Sequence, residues 1–288
     1  MSNSFLATTS VKETGRGRYE ADIDGAWNLN PLPQGGIVSA LALRAMGDTL
    51  GDPSQALRTL HTAFVARVAD GPVRIEVELL RRGRSMSHLR AEVANRDVPR
   101  GHVTTGIFGS PRPGFSFTDL APPDSVPVPD ECPSFRDPPP PGATTFEPMP
   151  FWDHLVEGRS ALGHTPWDDY VPDRAERAMW YRFDETPFLD DGTVDPLALV
   201  VLADTMPGAV GEMVGPGPRA WFAPSIDLTV HLLDSCRSPW VLAHNRARHA
   251  GAGYASADMA LWDCGERGSA PPRLVAYATQ LFLFSFID

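Results

Sequence analysis

Basic residues are scarce in this sequence. Lysine and arginine together number 25, against 36 aspartates and glutamates, and the formal net charge is −11. A protein that wraps nucleic acid needs a basic face that displaces phosphate counterions. The charge balance therefore argues against nucleic acid as a partner, and any anionic ligand has to be met by a local basic cluster.

Cysteine is equally scarce, since the chain has three, Cys132, Cys236 and Cys264. They are too few and too scattered for a disulfide framework or a paired zinc motif, so we expect no metal and a reducing cytoplasm. Residues 1–10 lack the basic and apolar regions of a signal peptide, and no later stretch approaches 18 uncharged apolar residues. These absences predict a cytoplasmic protein that is not bound to a membrane.

Proline is unevenly distributed along the chain. Close to half of the 29 prolines lie in residues 111–150, including the run Pro138–Pro141, and this segment has almost no periodic apolar pattern. Such a composition is typical of an extended linker. It divides the chain into an N-terminal domain, residues 1–110, and a C-terminal domain, residues 151–288, each large enough to fold separately.

The N-terminal half has one apolar segment among several alternating ones. Gly36–Met46 is apolar nearly all round, which predicts a buried helix ended by Gly47 and the Gly51–Pro53 turn. Alternating patterns predict strands before and after this helix. These strand predictions cover residues 18–24, 57–68, 73–80, 88–95 and 102–108.

The C-terminal half repeats this order. Asp195 is a good N-cap and precedes Pro196, so a second apolar helix is predicted up to Met206, where Pro207 ends or kinks it. Strands are predicted over 178–183, 221–233, 240–247, 255–262 and 274–286. Two antiparallel sheets, each wrapped around a central apolar helix, make an α+β double hotdog.

Three polar residues interrupt the apolar pattern of the second half. Asp204 lies in the second apolar helix, and Gln280 interrupts a strongly apolar strand; both need partners if buried. Ser225 is weaker evidence alone, because serine is common at strand starts. The structural alternatives are an acid at a solvated helix end and an amide that pins the sheet to the helix.

Together these residues form a chemically coherent set. A carboxylate can accept a proton from water while an amide and a hydroxyl hold the water and the carboxylate in line. No covalent nucleophile and no cofactor are required. The N-terminal half lacks the set: its helix has no acid from Gly36 to Gly47, and Gly106 faces Gln280 when the halves are overlaid. One active site per chain is predicted.

The chain resembles the acyl-CoA thioesterase II family over nearly its whole folded length. The resemblance implies a double hotdog that hydrolyses acyl-CoA with an Asp, a Thr or Ser, and a Gln, which fall on Asp204, Ser225 and Gln280. The motifs that carry it are Gln34-Gly-Gly36, Leu60-His-Thr-Ala-Phe64, Gly83-Arg-Ser85, Leu202-Ala-Asp204, Ser225-Ile-Asp227 and Thr279-Gln280.

Two departures from the family pattern affect what it implies. The hydroxyl residue is Ser225, where threonine is more familiar, and the usual basic-proline step is replaced by Ala66–Asp70. Thr229 is an alternative hydroxyl, since four residues further along a strand it faces the same side. Acyl chain length and the carrier, free CoA or acyl carrier protein, stay open.

Substrate binding is predicted from two weaker signals. Arg81, Arg82 and Arg84 flank a bend at Gly83, and Arg246, Arg248 and His249 hold a comparable place in the second half. Such clusters can bind the phosphates of CoA, although they are more often solvated turn residues. Gly35 and Gly36 at a helix start can offer backbone N–H groups to a thioester carbonyl or a phosphate.

Rival functions are weaker on the residues. An enoyl-thioester hydratase or dehydratase needs a histidine near a central helix, and neither apolar helix contains one. A catalytically silent acyl-binding protein is the other alternative, and the joint presence of the three polar residues argues against it. A serine hydrolase lacks its Gly-x-Ser-x-Gly elbow here. The unpaired edges of hotdog sheets predict a homodimer or higher oligomer.

Overall fold

The computed structural model of the protein describes residues 4–29, 31–143, 149–216, 220–265 and 271–286. Within these ranges the chain forms five α-helices and fourteen strands. The helices are α1 Phe5–Thr8, α2 Gly35–Leu50, α3 Pro150–His154, α4 Pro196–Ala203 and α5 Gly208–Val214. The strands are β1 Lys12–Gly15, β2 Arg18–Ile23, β3 Ala56–Phe64, β4 Gly71–Arg82, β5 Met86–Asn95, β6 His102–Gly109, β7 Val156–Leu162, β8 Glu176–Phe183, β9 Trp221–Phe222, β10 Asp227–Leu232, β11 Val241–Gly251, β12 Tyr254–Asp263, β13 Arg273–Leu283 and β14 Ser285–Phe286.

Most of the strands join one antiparallel sheet. In the described part of the chain, twelve strands follow the order β1-β2-β4-β5-β6-β3-β10-β13-β12-β11-β8-β7. The prediction of two separate sheets is therefore corrected, because β3 and β10 pair directly and make the sheet continuous. Each half keeps the same internal order, reversed across the centre, as expected for a sequence repeat.

The strand register allows the two halves of the chain to be overlaid residue by residue. At the sheet centre His61 pairs with Thr229. Gly106 on β6 pairs with Leu89 on β5, and Gln280 on β13 pairs with Ala257 on β12, at matching places in the two halves. The sequence overlay that set Gly106 opposite Gln280 agrees with this register.

The core lies between the sheet and the two longer helices. Helix α2 packs against β4, β5, β6 and α4, while α4 packs against β10, β12 and β13. Every residue of α4 beyond its first is buried, so this helix has no solvated face. Helix α2 runs through Gly47 to Leu50, four residues beyond the predicted range, and ends at Gly51 in the left-handed conformation.

Two proline positions shorten elements that the pattern had predicted as longer. Helix α4 ends at Ala203 rather than Met206, because Pro207 has no N–H to continue the helix and its ring crowds the preceding turn. Asp204 is therefore the residue that caps the helix end instead of lying within the helix. The predicted strand 221–233 is interrupted at Pro224 and Ser225 for the same reason, which leaves β9 and β10.

The Pro-rich segment is partly docked on the second half. Trp180 Nε1 donates to the carbonyl of Pro127 at 2.9 Å, and Phe135 N donates to the carbonyl of Gly158 at 2.9 Å. Cys132 joins a buried cluster with Trp180, Leu242 and Trp262 on the outer face of the sheet. Residues 144–148 of the predicted linker lie outside the described ranges.

Candidate active site

Asp204 lies where the end of α4 meets the beginning of α2. Its backbone N donates to the Val201 carbonyl at 3.2 Å, which closes the last turn of α4. Only 7% of the residue is exposed. The alternative that Asp204 sits at a solvated helix end is therefore wrong, and its carboxylate needs partners inside the protein.

The first turn of α2 supplies part of that environment. Gln34 caps the helix with its side-chain oxygen, which accepts from Ile37 N at 3.0 Å. Its Nε2 donates to the carbonyls of Val201 at 2.8 Å and Asp204 at 3.1 Å, so it ties the two helix ends together. Gly36 N donates to Asp204 Oδ2 at 3.0 Å, where the positive end of the helix dipole also favours a negative charge.

Ser225 and Gln280 complete the partners of Asp204 from the sheet. Ser225, which forms an isolated bridge with Phe282 before β10, donates from Oγ to Asp204 Oδ1 at 3.0 Å. Gln280 on β13 donates from Nε2 to Ser225 Oγ at 2.9 Å and also to Asp204 Oδ1. The structure thus brings together the three residues that the sequence singled out, although they come from three different elements.

The electrostatics of this cluster are set by burial. Burial raises the pKa of the Asp204 carboxyl to about 6, while the hydrogen bonds from Gln280, Ser225 and Gly36 offset part of that rise. Among the described residues, the carboxylate accepts these bonds without a paired cation in its hydrogen-bonding shell. Such a group is charged at neutral pH and is a stronger base than an ordinary aspartate.

Close packing requires glycine at the first two positions of α2, Gly35 and Gly36. A Cβ on Gly36 would lie 2.7 Å from both the Val200 carbonyl oxygen and Val201 Cα. A Cβ on Gly35 would lie 2.6 Å from Phe64 Cε1 and 2.8 Å from Asp204 Oδ2. The prediction that both glycines present free N–H groups to substrate is corrected, because the Gly36 N–H donates to Asp204 and the Gly35 backbone also hydrogen-bonds this carboxylate.

The predicted phosphate-binding arginines lie elsewhere. Arg82 donates to the carbonyl of Leu50, the last residue of α2, and Arg84 is exposed in the β4–β5 turn. Asp204 contacts the opposite end of this helix of 16 residues, roughly 22 Å away at the usual rise per residue. The structure therefore does not bring Arg82 and Arg84 together with the acid cluster.

The comparable cluster in the second half is held in ion pairs. Arg246 binds Glu176, which also contacts His244 at 2.7 Å, and Arg248 binds Asp258. Thr229, the alternative hydroxyl, contacts His61 Nδ1 at 3.1 Å rather than Asp204. Ser225 precedes β10, the strand that contains Thr229. The prediction that Thr229 faces the same side as Ser225 assumed one continuous strand, so it does not apply.

Two residues of the site were not singled out by the chemistry of the sequence. Gln34 was noted only as part of a family motif, and its role as the tie between α2 and α4 depends on tertiary contact. Phe64, whose ring lies beside Gly35, likewise stands in the sequence only as part of the motif Leu60-His-Thr-Ala-Phe64. A polar residue directly before Gly-Gly at a helix start is the one local signal that favours a cap at Gln34.

Comparison with protein families defines the class. The model of the acyl-CoA thioesterase N-terminal domain matches residues 23–109, and that of the acyl-CoA thioesterase C-terminal domain matches residues 129–284. The chain therefore belongs to the acyl-CoA thioesterase family and is a thioester hydrolase. No curated protein matches the sequence.

Solved structures agree on the fold. A hotdog protein of unknown function from Alicyclobacillus acidocaldarius is 24% identical with a TM-score of 0.78, covering 98% of this chain and 97% of its own. An acyl-CoA thioesterase II, TesB2, from Mycobacterium marinum is 19% identical with a TM-score of 0.73, covering 99% of each chain. A tesB protein from Mycobacterium avium is 19% identical with a TM-score of 0.72, covering 98% of each.

The described residues were also compared with the requirements of a metal site and of a membrane span. Among them, no group of three or more His, Cys, Asp or Glu side chains is placed to hold a metal ion. Pro196–Val214 is long and apolar enough for a membrane span by length and composition alone, with mean hydropathy 1.5. Two thirds of that segment is buried inside the protein, where α4 packs against α2 and the sheet.

Proposed function

We propose that this protein hydrolyses the thioester bond of acyl-CoA with a water molecule activated by Asp204, Ser225 and Gln280. The observation that carries the proposal is the mutual hydrogen bonding of these three side chains around one buried carboxylate. A carboxylate, a hydroxyl and an amide held in this way can position and deprotonate water without a covalent nucleophile.

The proposed reaction is a single displacement at the acyl carbon. The Asp204 carboxylate takes one proton from water while the water oxygen attacks the thioester carbonyl. The tetrahedral intermediate then expels CoA as its thiolate, which takes the proton from Asp204, so the products are the free acid and CoA and the carboxylate is regenerated. The pKa of about 6 leaves Asp204 deprotonated at neutral pH yet basic enough to assist the attack.

The other two side chains have distinct parts in this mechanism. Ser225 Oγ donates to Asp204 and holds the carboxylate in position. Gln280 is 3% exposed, and among the described residues its Oε1 has no hydrogen-bond partner. An unpartnered amide oxygen beside the acid is available to accept a hydrogen bond from the second O–H of the attacking water.

The direct test is CoA release from acyl-CoAs of increasing chain length, measured for the native protein and Asp204→Asn. We expect activity that peaks at some chain length and falls by about a thousandfold in the variant. Equal activity in the two proteins would remove Asp204 from the mechanism. Acyl-CoA binding without turnover in either protein would favour a silent acyl-binding protein.

We also infer the assembly that surrounds this site. The repeated strand order supports a double hotdog, with domains near residues 1–110 and 151–288. In the described chain the twelve-stranded sheet ends at β1 and β7. The segment at Ser134 already pairs with the outer edge of β7, so it is the edge at β1 that supports a homodimer or higher oligomer. Three free cysteines support a cytoplasmic location. Light scattering in solution tests the oligomer directly.

A further inference from the structure

A line of side chains leads away from the acid cluster into the N-terminal half. Phe64 Cε1 and Asp204 Oδ2 both lie within 2.8 Å of the point where a Gly35 Cβ would be. The two distances, 2.6 Å and 2.8 Å, place the Phe64 ring no more than 5.4 Å from the carboxylate oxygen. On its other side this ring meets His102 edge to face, with 4.7 Å between ring centroids and 87° between the planes.

Phe64 is placed to act as a wall. It is the last residue of β3, and it pairs across the sheet with His102, the first residue of β6. The side chain is half-buried, with Gly35 leaving room for it on the helix side. The Phe64 ring thus lies between the acid cluster and His102.

His102 is a buried polar residue with one unpaired ring nitrogen. The residue is 7% exposed, and its Nδ1 has no hydrogen-bond partner among the described residues. Leaving a buried polar atom unpaired is unfavourable, so native structures rarely keep one without a reason. Burial lowers the pKa of His102 to about 4, so the ring is neutral at physiological pH.

The neighbouring polar groups on the same face are already satisfied. Thr104 lies two residues along β6, and Thr62 lies opposite it on β3. Thr62 Oγ1 contacts Thr104 Oγ1 and Ser39 Oγ, each at 2.9 Å, and all three residues are fully buried. These hydroxyls bind one another, whereas His102 keeps a free Nδ1 at the end nearer to Phe64.

We propose that the acyl group binds along the line from Asp204 past Phe64 to His102, a path called here the acyl cleft, that Phe64 closes this cleft, and that His102 forms its far end and selects acyl groups carrying an uncharged hydroxyl or carbonyl. This inference rests on the proposed thioesterase function. A neutral imidazole has one donor and one acceptor nitrogen, so it matches a hydroxyl or carbonyl group. An ionised carboxylate fits poorly, because the ring does not carry a compensating charge.

The test compares acyl-CoAs of one chain length that differ only in a hydroxyl placed near the thioester, in the middle, or at the far end. For the native protein, we expect kcat/KM for one hydroxylated isomer to exceed that of the plain acyl-CoA by about tenfold to a hundredfold. His102→Leu should remove this preference while retaining hydrolysis of the plain substrate. His102→Asn, which keeps a hydrogen-bonding group near the position of Nδ1, should restore part of it.

A matched control is His61→Leu. His61 is exposed and bonds Thr229 on strand β10, away from the cleft, so its loss should leave the hydroxyl preference unchanged. Phe64→Leu, which reduces the wall, should raise kcat/KM for branched acyl groups relative to straight ones. No change in that ratio would overturn the part assigned to Phe64.

The selectivity claim fails if the native protein and His102→Leu show the same ratio of hydroxylated to plain substrate. It also fails if the native protein favours the plain chain at every hydroxyl position. Should no thioester be hydrolysed, the proposed function is wrong, and calorimetric binding of the same acyl-CoA pairs then tests His102 independently. Equal affinities for hydroxylated and plain chains would overturn the proposal in that case.

Discussion

The two central helices meet at two junctions that use charge in opposite ways. At one, Asp204 after α4 caps the start of α2 through Gly36, and the part of the chain that the structure describes gives it hydrogen-bond donors but no paired cation. At the other, Arg44 on α2 forms an ion pair with Asp195, the N-cap of α4. The carboxylate of Asp195, paired with a cation, stabilises the contact between the helices. The carboxyl of Asp204, with its raised pKa, can transfer protons.

Matching positions in the two halves of the sheet, Gln280 and Gly106, also differ in polarity. Gln280 presents a buried amide beside Asp204. At the matching place in the first half, the space beside Gly106 is taken by the side chains of Met46, Phe108 and Leu43. The first half thus fills with apolar packing what the second half keeps polar, which favours one active site per chain.

The largest expected contrast comes from removing the charge at each junction. Asp204→Asn should lower kcat/KM by about a thousandfold with the fold intact, because the general base is lost. Arg44→Met should leave kcat/KM per folded molecule close to native. Steady-state CoA release, normalised to the amount of folded protein by circular dichroism, measures kcat/KM for the two variants. Comparable activity losses in Asp204→Asn and Arg44→Met would show that the two junctions do not differ in catalytic role.

The same Arg44→Met variant should instead lose stability. Asp195 is 1% exposed, so its carboxylate would be left buried without its cation. We expect the free energy of unfolding to fall by about 3 kcal/mol. Urea denaturation measures this, and an unchanged midpoint would show that Arg44 is not the partner that stabilises the second junction.

A smaller catalytic effect is expected at Ser225. Ser225→Ala removes a hydrogen bond to the Asp204 carboxylate, which we expect to lower kcat by about tenfold to a hundredfold. Ser225→Thr keeps the hydroxyl and should stay within severalfold of native. Thr229→Ala is the control, since Thr229 contacts His61, and a larger loss there than in Ser225→Ala would reassign the hydroxyl.

The pH dependence of hydrolysis should report Asp204. Its pKa is raised to about 6, and the active form is the deprotonated one, so kcat/KM should be level above that pH. Below it, kcat/KM should fall about tenfold per pH unit as the base is protonated. A stopped assay across pH 4.5 to 8 measures the profile, and an acid limb absent above about pH 5 would contradict the raised pKa.

The smallest expected differences concern two glycines of one helix. Gly35→Ala places a methyl group against Phe64 and Asp204, so we expect a loss of about 1 to 3 kcal/mol and reduced activity. Gly47→Ala meets nothing within 4 Å and should stabilise α2 by about 1 kcal/mol. Thermal melting of both variants checks this, and similar shifts in the two would mean that the Gly35 contact relaxes freely.

Local patterns predicted most elements and failed where prolines intervene. The apolar run from Gly36 and the cap at Asp195 predicted α2 and α4, because helix periodicity and capping act within a few residues. Pro207 and Pro224 then moved Asp204 out of its helix and split a strand. The four-residue β1 was missed because it is too short to show a pattern, and the seven-residue β7 was missed because its buried and exposed residues do not alternate.

The sequence by itself determined the repeat, the apolar helices and the three polar residues that interrupt them, because each is a local pattern of residue types. Tertiary structure alone decided that β3 and β10 join the halves into one sheet and that Gly36 binds Asp204 rather than a substrate. It also set Arg82 and Arg84 at the far end of α2. These outcomes depend on contacts between residues far apart in the chain, which periodicity and composition do not encode.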